Sequence, residues 1–315
     1  MVTEPRASAI IYNILKGYTS NNTFLMPSNI CPIVPITFFK AGKSFEFIDI
    51  SNDTLCMDEE IIIQKLKRNP KNYAGVFFVR TFGVEESFEY LFKQIKEIND
   101  DFIIIDDRCL STPSFQYVET QADVVLYSTG YSKVVDIGFG GFAQIKNNIK
   151  YDKSPLTYSE KSYGDIINSY KKSIESNSKY IYEDCDWLDN SNLNISYECY
   201  SSLIEKEFAA SIHIKNEMNK IYSENLPKQI QLDSKFQSWR FNIRLSNRDS
   251  IINELFKHNL FASTHYASLK GIFSKGKAPN AERLHSSIIN LFNDKYYNEE
   301  KAYRTVDIIN RIITN

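Results

Sequence analysis

Histidine, methionine and tryptophan are scarce in this chain of 315 residues, with four, four and two copies. The histidines, His213, His258, His265 and His285, show no metal-ligand spacing, and each alone is more often a surface or structural residue. Cysteine is also sparse. Cys31, Cys56, Cys109, Cys185 and Cys199 form no C-x-x-C pair and are odd in number, which argues against a disulfide framework and a zinc ribbon and for a reducing compartment. No apolar run is long enough to cross a bilayer, and the first residues lack the charged and apolar regions of a secretory leader, so the expectation is a cytoplasmic protein with no membrane partner. The net charge is only -2, with both signs interspersed, so no basic face points to nucleic acid. Neither Gly-x-x-x-x-Gly-Lys-Ser/Thr nor Gly-x-Ser-x-Gly occurs, and Gly138-Phe139-Gly140-Gly141 lacks the third glycine of a dinucleotide fingerprint.

What is present is a 43% hydrophobic composition, enough for a full core, and a regular alternation of short elements in the first half. Ile10, Ile11, Ile14 and Leu15 share a helix face over residues 7–17. Strands are expected at 23–26, 44–50, 76–79, 102–105 and 124–127, the last three as continuous apolar runs of the kind that fill a parallel sheet. Helices are expected at 31–39, 58–67 and from Ser87 onward. Such alternation predicts an α/β domain, a mostly parallel sheet covered by helices. Residues 147–196 are rich in Asn, Ser, Tyr and Lys and read as loop-heavy, with a helix over 159–174. A long helix over 197–222 precedes a strand at 238–244 and helices at 248–258 and 299–313, which predicts a small C-terminal α+β domain. The division is thus 1–196, a large α/β domain, and 197–315, the linking helix and small domain.

The candidate chemistry gathers around residues 123–142. A lysine is usually a solvated charge, but Lys133 follows an apolar strand, lies among small residues and precedes a glycine-rich turn. A lysine so placed can lose its proton and form a Schiff base with an aldehyde cofactor. Asp107 ends the strand before; alone it is a turn carboxylate, but paired with such a lysine it can hold a pyridinium nitrogen protonated. Ser128, at the end of its strand, is a phosphate ligand or simply a turn hydroxyl.

Seven segments in order resemble the sugar aminotransferases of the DegT/DnrJ/EryC1/StrS family. They are Met26-Pro27-Ser28, residues 41–50, Ile105-Asp106-Asp107, residues 128–141, Trp239-Arg240-Phe241, Thr264-His265-Tyr266 and Pro279-Asn280-Ala281-Glu282. The resemblance spans nearly the whole chain. It implies a fold-type I aminotransferase architecture, pyridoxal 5'-phosphate as cofactor, and transfer of an amino group, with glutamate as donor, to a keto group of a nucleotide-linked sugar in surface polysaccharide or amino-sugar biosynthesis. It also implies a homodimer. Carried over by position, Lys133 is the Schiff-base lysine and proton shuttle, Asp107 the pyridinium partner and Ser128 a phosphate ligand. Arg6 or Ala7 stands where the family binds phosphate at its first helix, and Asn194 where an asparagine reaches the partner subunit's phosphate.

The departures cluster around the cofactor. Pro5-Arg6 replaces a Gly-Thr, Cys31 stands where an aromatic covers the ring, Leu110 replaces a Gln or His, and Ser196 replaces an arginine. They leave open a second reading, a homodimer that has lost catalysis and binds or regulates. A third keeps the cofactor but changes the reaction at the substrate's α carbon.

Overall fold

The computed structural model describes residues 1–314. Its centre is a seven-stranded sheet in the order β1-β7-β6-β5-β4-β2-β3, formed by β1 (Val2–Glu4), β2 (Thr23–Pro27), β3 (Phe45–Ile48), β4 (Tyr73–Val79), β5 (Ile103–Asp107), β6 (Val124–Ser128) and β7 (Gly141–Ile145). All pairings from β3 to β6 are parallel, while β7 runs antiparallel to both β6 and β1. The pleat divides each central strand between two cores: Phe77 and Ile105 pack on one face, Phe78 and Ile104 on the other. That is why these strands read as unbroken apolar runs and not as alternating ones.

Helices cover both faces. On one lie α1 (Ala7–Gly17), α2 (Ile33–Lys40) and α5 (Glu160–Glu175). On the other lie α3 (Glu59–Arg68) and α4 (Glu89–Ile98). The ends of α3 show why it forms where it does. Asp58 accepts a hydrogen bond from Ile61 N at 3.1 Å, carboxylates fill the first turn and basic residues the last, and Ile62 and Leu66 bury one stripe.

The chain then enters α6 (Tyr197–Asn225), whose two halves serve different cores. Tyr200 and Ile204 pack on Val125, Tyr127 and Phe142 of the large sheet. Met218, Ile221 and Tyr222 instead join α7 (Arg248–Lys257), α9 (Glu299–Thr314) and a three-stranded sheet β8-β10-β9, made from β8 (Phe241–Arg244), β9 (Ala262–Ser263) and β10 (Ile288–Leu291). The short α8 (Pro279–His285) returns to the large sheet, where the Asp49 carboxylate accepts from the Asn280 and Ala281 backbone amides at 2.9 and 3.0 Å. Trp239 also crosses, stacking on Phe82 with ring centroids 6.3 Å apart.

Four strands lie outside the sequence expectation. β1 and β9 are three and two residues long, too short for any periodicity. β7 opens on a glycine, and β10 is a four-residue run between turns. The loop-heavy middle does hold α5, capped by Ser159, whose hydroxyl accepts from Ser162 N at 3.3 Å.

Candidate functional site

The carboxyl ends of β5 and β6 meet the start of α1 at one cavity of about 250 Å³. Lys133, Asp107, Ser128, Arg6 and Ala7 all line it, beside Pro5, Ser8, Cys31, Cys109 and Tyr163. This is where an open α/β sheet places a ligand.

β5 ends in two aspartates with opposite roles. Asp106 is fully buried and tied by Arg80 through Nε at 2.8 Å and a second guanidinium nitrogen at 2.9 Å, and by Arg108 Nε at 2.8 Å. Two cations on one carboxylate make it a fixed part of the scaffold. Asp107, one residue on, turns to the cavity. Its Oδ1 accepts from Cys109 N at 2.9 Å. Burial pushes its carboxyl above the usual carboxylate range, while the Cys109 hydrogen bonds and the charge of Lys133 pull it down. A cation brought against it would complete that pull.

Lys133 sits half-buried in the loop after β6 and, among the described residues, has no ion-pair partner. The loop around it is held from several sides. Asp136, buried, accepts from Ser132 N at 2.8 Å and Gly138 N at 2.9 Å. Trp239 Nε1 donates to Ser132 O at 2.6 Å, and Lys295 Nζ donates to Asp136 O at 2.7 Å. Ser132 takes a φ of 61°, a left-handed conformation this bracing sustains. The small C-terminal region thus helps aim the lysine.

The glycine-rich turn lines the cavity through Gly138, Phe139 and Gly140, and it also packs against the start of α1. A Cβ on Gly141 would lie 2.5 Å from Ala7 N, so glycine here lets β7 run against the start of α1. Gly140, with φ 91°, faces the Tyr200 ring and donates its N–H to Pro5 O at 2.7 Å. Ser128 Oγ is 3.5 Å from both Gly140 O and Gly130 N, at the limit of hydrogen bonding, so its hydroxyl is only loosely committed.

At the α1 end, Arg6 lays its guanidinium over the Tyr163 ring, 4.6 Å from the centroid. Cys31 and Cys109 form part of the wall, and burial pushes both thiols upward, so they stand as neutral apolar groups. Two of the other sequence candidates lie elsewhere. Asn194 is exposed in the segment before α6 and does not line the cavity. Leu110 is buried in the core on the face with α3 and α4. Sequence reasoning missed Ser8 and Tyr163. The signal for Tyr163 was there, because Tyr163, Ile166, Tyr170 and Ile174 fall at helical spacing and pack together on the sheet.

No family model matches this chain, and no curated protein is significantly similar to it. Solved structures do match. The sugar aminotransferase CalS13 from Micromonospora echinospora is 14% identical, with 98% of this chain and 86% of that one covered at a TM-score of 0.70. A DegT DnrJ EryC1 StrS aminotransferase from Brucella abortus is 16% identical, with 99% and 85% covered at 0.67. Helicobacter pylori PseC, an aminotransferase involved in the biosynthesis of pseudoaminic acid, is 14% identical, with 98% and 85% covered at 0.69. The chain therefore has the fold of the pyridoxal-phosphate-dependent sugar aminotransferases.

Proposed function

We propose that the protein is a pyridoxal-phosphate-dependent aminotransferase that aminates a keto group of a nucleotide-linked sugar, with glutamate as donor, in surface polysaccharide or amino-sugar biosynthesis. The observation that carries this reading is that Lys133, Asp107 and Arg6 line one cavity. A buried carboxylate, a lysine and an arginine on one cavity wall match the ring nitrogen, aldehyde and phosphate of that cofactor.

When bound, the cofactor supplies an electron-withdrawing ring that lets a proton leave the carbon bearing the amino group. Asp107 holds the proton of the ring nitrogen in place, and its buried carboxyl is stabilised as an anion by that contact. Lys133 would hold the aldehyde group, and its amine would be the base that moves a proton at the reacting carbon. Ser128, Arg6 and the α1 start at Ala7 bind the phosphate. Cys31 and Cys109 leave the wall apolar and limit water. In this reading residues 1–196 and 197–315 are two domains, the protein is a cytoplasmic homodimer, and Asn194 of each copy reaches the phosphate of the other.

One observation favours a second reading, a homodimer that binds without turning over: a thiol, Cys31, occupies the wall where an aromatic would cover the ring. Purified protein separates the two. The enzyme is expected to show a visible absorption band that borohydride removes and to lose glutamate-dependent amination completely in Lys133→Ala; a colourless protein that takes up no added pyridoxal phosphate supports the second reading.

A further inference from the structure

We infer that Lys215 is a positioning residue for Lys133: from α6 its amine holds the carbonyl of Trp239, whose indole in turn holds the carbonyl of Ser132 beside the lysine. The inference rests on the cofactor reading above and adds to it a residue outside the cavity.

The path is short and continuous. Lys215 Nζ donates to Trp239 O at 2.8 Å and to Asn293 Oδ1 at 3.0 Å. Trp239 Nε1 then donates to Ser132 O at 2.6 Å, and its ring stacks on Phe82 and on Tyr266, with centroids 6.3 Å away in each case. Lys215 and Trp239 are both buried, so water competes little for the bond between them. The same helix grips the loop a second time. Farther back on α6, by about 22 Å of helix, the Tyr200 hydroxyl is 2.6 Å from Thr129 Oγ1. α6 therefore sets the loop at two points just ahead of Lys133.

Fastening α6 to the small C-terminal region does not require Lys215. Asn219, one turn on, does so by donating to Gln237 O at 3.0 Å and accepting from Asn293 Nδ2 at 2.9 Å, and Tyr222 donates to Phe292 O at 2.8 Å. Neither bonds to Trp239. An ammonium is also a costly way to fill this space, because the buried Arg240 lies beside it. The charged groups that face Lys215 are Arg240, Asp294 and Asp136. Arg240 is tied to Asp294 at 2.6 Å, and Asp136 answers Lys295 at 3.9 Å and the backbone of its own loop. Burial, and after it Arg240, lower the amine from 10.5 to about 7 against the pull of Asp294 and Asp136. The bond to Trp239 is thus charge-assisted below that pH and weakens above it as the amine turns neutral.

The test uses cofactor-free protein labelled with fluorotryptophan, whose two tryptophans, Trp187 and Trp239, give separate fluorine signals assigned with Trp187→Phe. In wild type the Trp239 signal should shift with a midpoint near pH 7 while the Trp187 signal stays still. Lys215→Met, which keeps the length and loses the amine, should displace the Trp239 signal and abolish its titration. Lys215→Arg, a donor that stays charged, should hold the signal steady from about pH 6 to about pH 9. In protein loaded with pyridoxal phosphate, glutamate should bleach the visible band about 10-fold more slowly in Lys215→Met, with the half-saturating glutamate concentration unchanged. Lys215→Arg should recover that rate. If Lys215→Met fails to fold, the pH series of wild type against Lys215→Arg decides. A Trp239 titration that persists in the variants, with the exposed His265 beside the indole as its source, overturns the positioning role, as does a wild-type bleaching rate in Lys215→Met. Wild type that takes up no pyridoxal phosphate overturns the cofactor reading instead, and the fluorine signals still decide whether Lys215 sets Trp239.

Discussion

The two ends of the cavity are built differently. At the lysine end, Asp107 belongs to a central strand locked by the Arg80, Asp106 and Arg108 ion pairs, and the Lys133 loop is pinned by Asp136, Trp239 and Lys295. At the α1 end, the groups are a helix start without a side-chain cap and a guanidinium resting on one ring. The first end is rigid before anything binds, as chemistry at a fixed atom requires. The second is held by fewer contacts. The difference teaches that a site can be pre-formed where bonds change and still be incomplete where it only binds.

Substitutions at the neighbouring aspartates break this comparison most strongly. Asp106→Asn leaves the buried Arg80 and the half-buried Arg108 short of their counter-ion, and we expect about 3 kcal/mol of lost stability by denaturant unfolding. Asp107→Asn should leave the unfolding midpoint nearly unchanged and lower kcat/KM about 100-fold, because the carboxyl faces the cavity and supports no other element. If the two variants exchanged phenotypes, the assignment of scaffold and chemistry to the pair would be reversed.

A smaller effect is expected from His265, which packs against Trp239 with ring centroids 5.6 Å apart. His265→Ala should lower stability by only about 1 kcal/mol, read from the denaturation midpoint, because the residue is exposed and loses little beyond this edge contact; a loss of several kcal/mol would show that the ring belongs to the core.

How much of this could be read from the sequence follows from the same physics. The strands β4 to β6 were legible because burial on both faces writes continuous apolar runs, β3 because it alternates and β2 as a short run stopped by Pro27-Ser28, while Asp107, Ser128 and Lys133 were legible because they lie at or just past the ends of β5 and β6. β1 and β7 were not, since three residues and a glycine start carry no period. Arg6 is visible only by its place before a helix, and its partner Tyr163 lies some 150 residues away, so no local pattern could join them. The glycine turn was legible as a close approach, and it both lines the cavity and runs against the backbone of α1.

The central claim is that Lys133 is the residue that carries the cofactor. Borohydride reduction of the protein loaded with pyridoxal phosphate, followed by proteolysis and peptide mass mapping, tests it most directly. The account predicts one pyridoxyl group, attached to Lys133. A modified peptide that carries another lysine, such as Lys295, or no modified peptide from protein shown to have bound the cofactor, would contradict it.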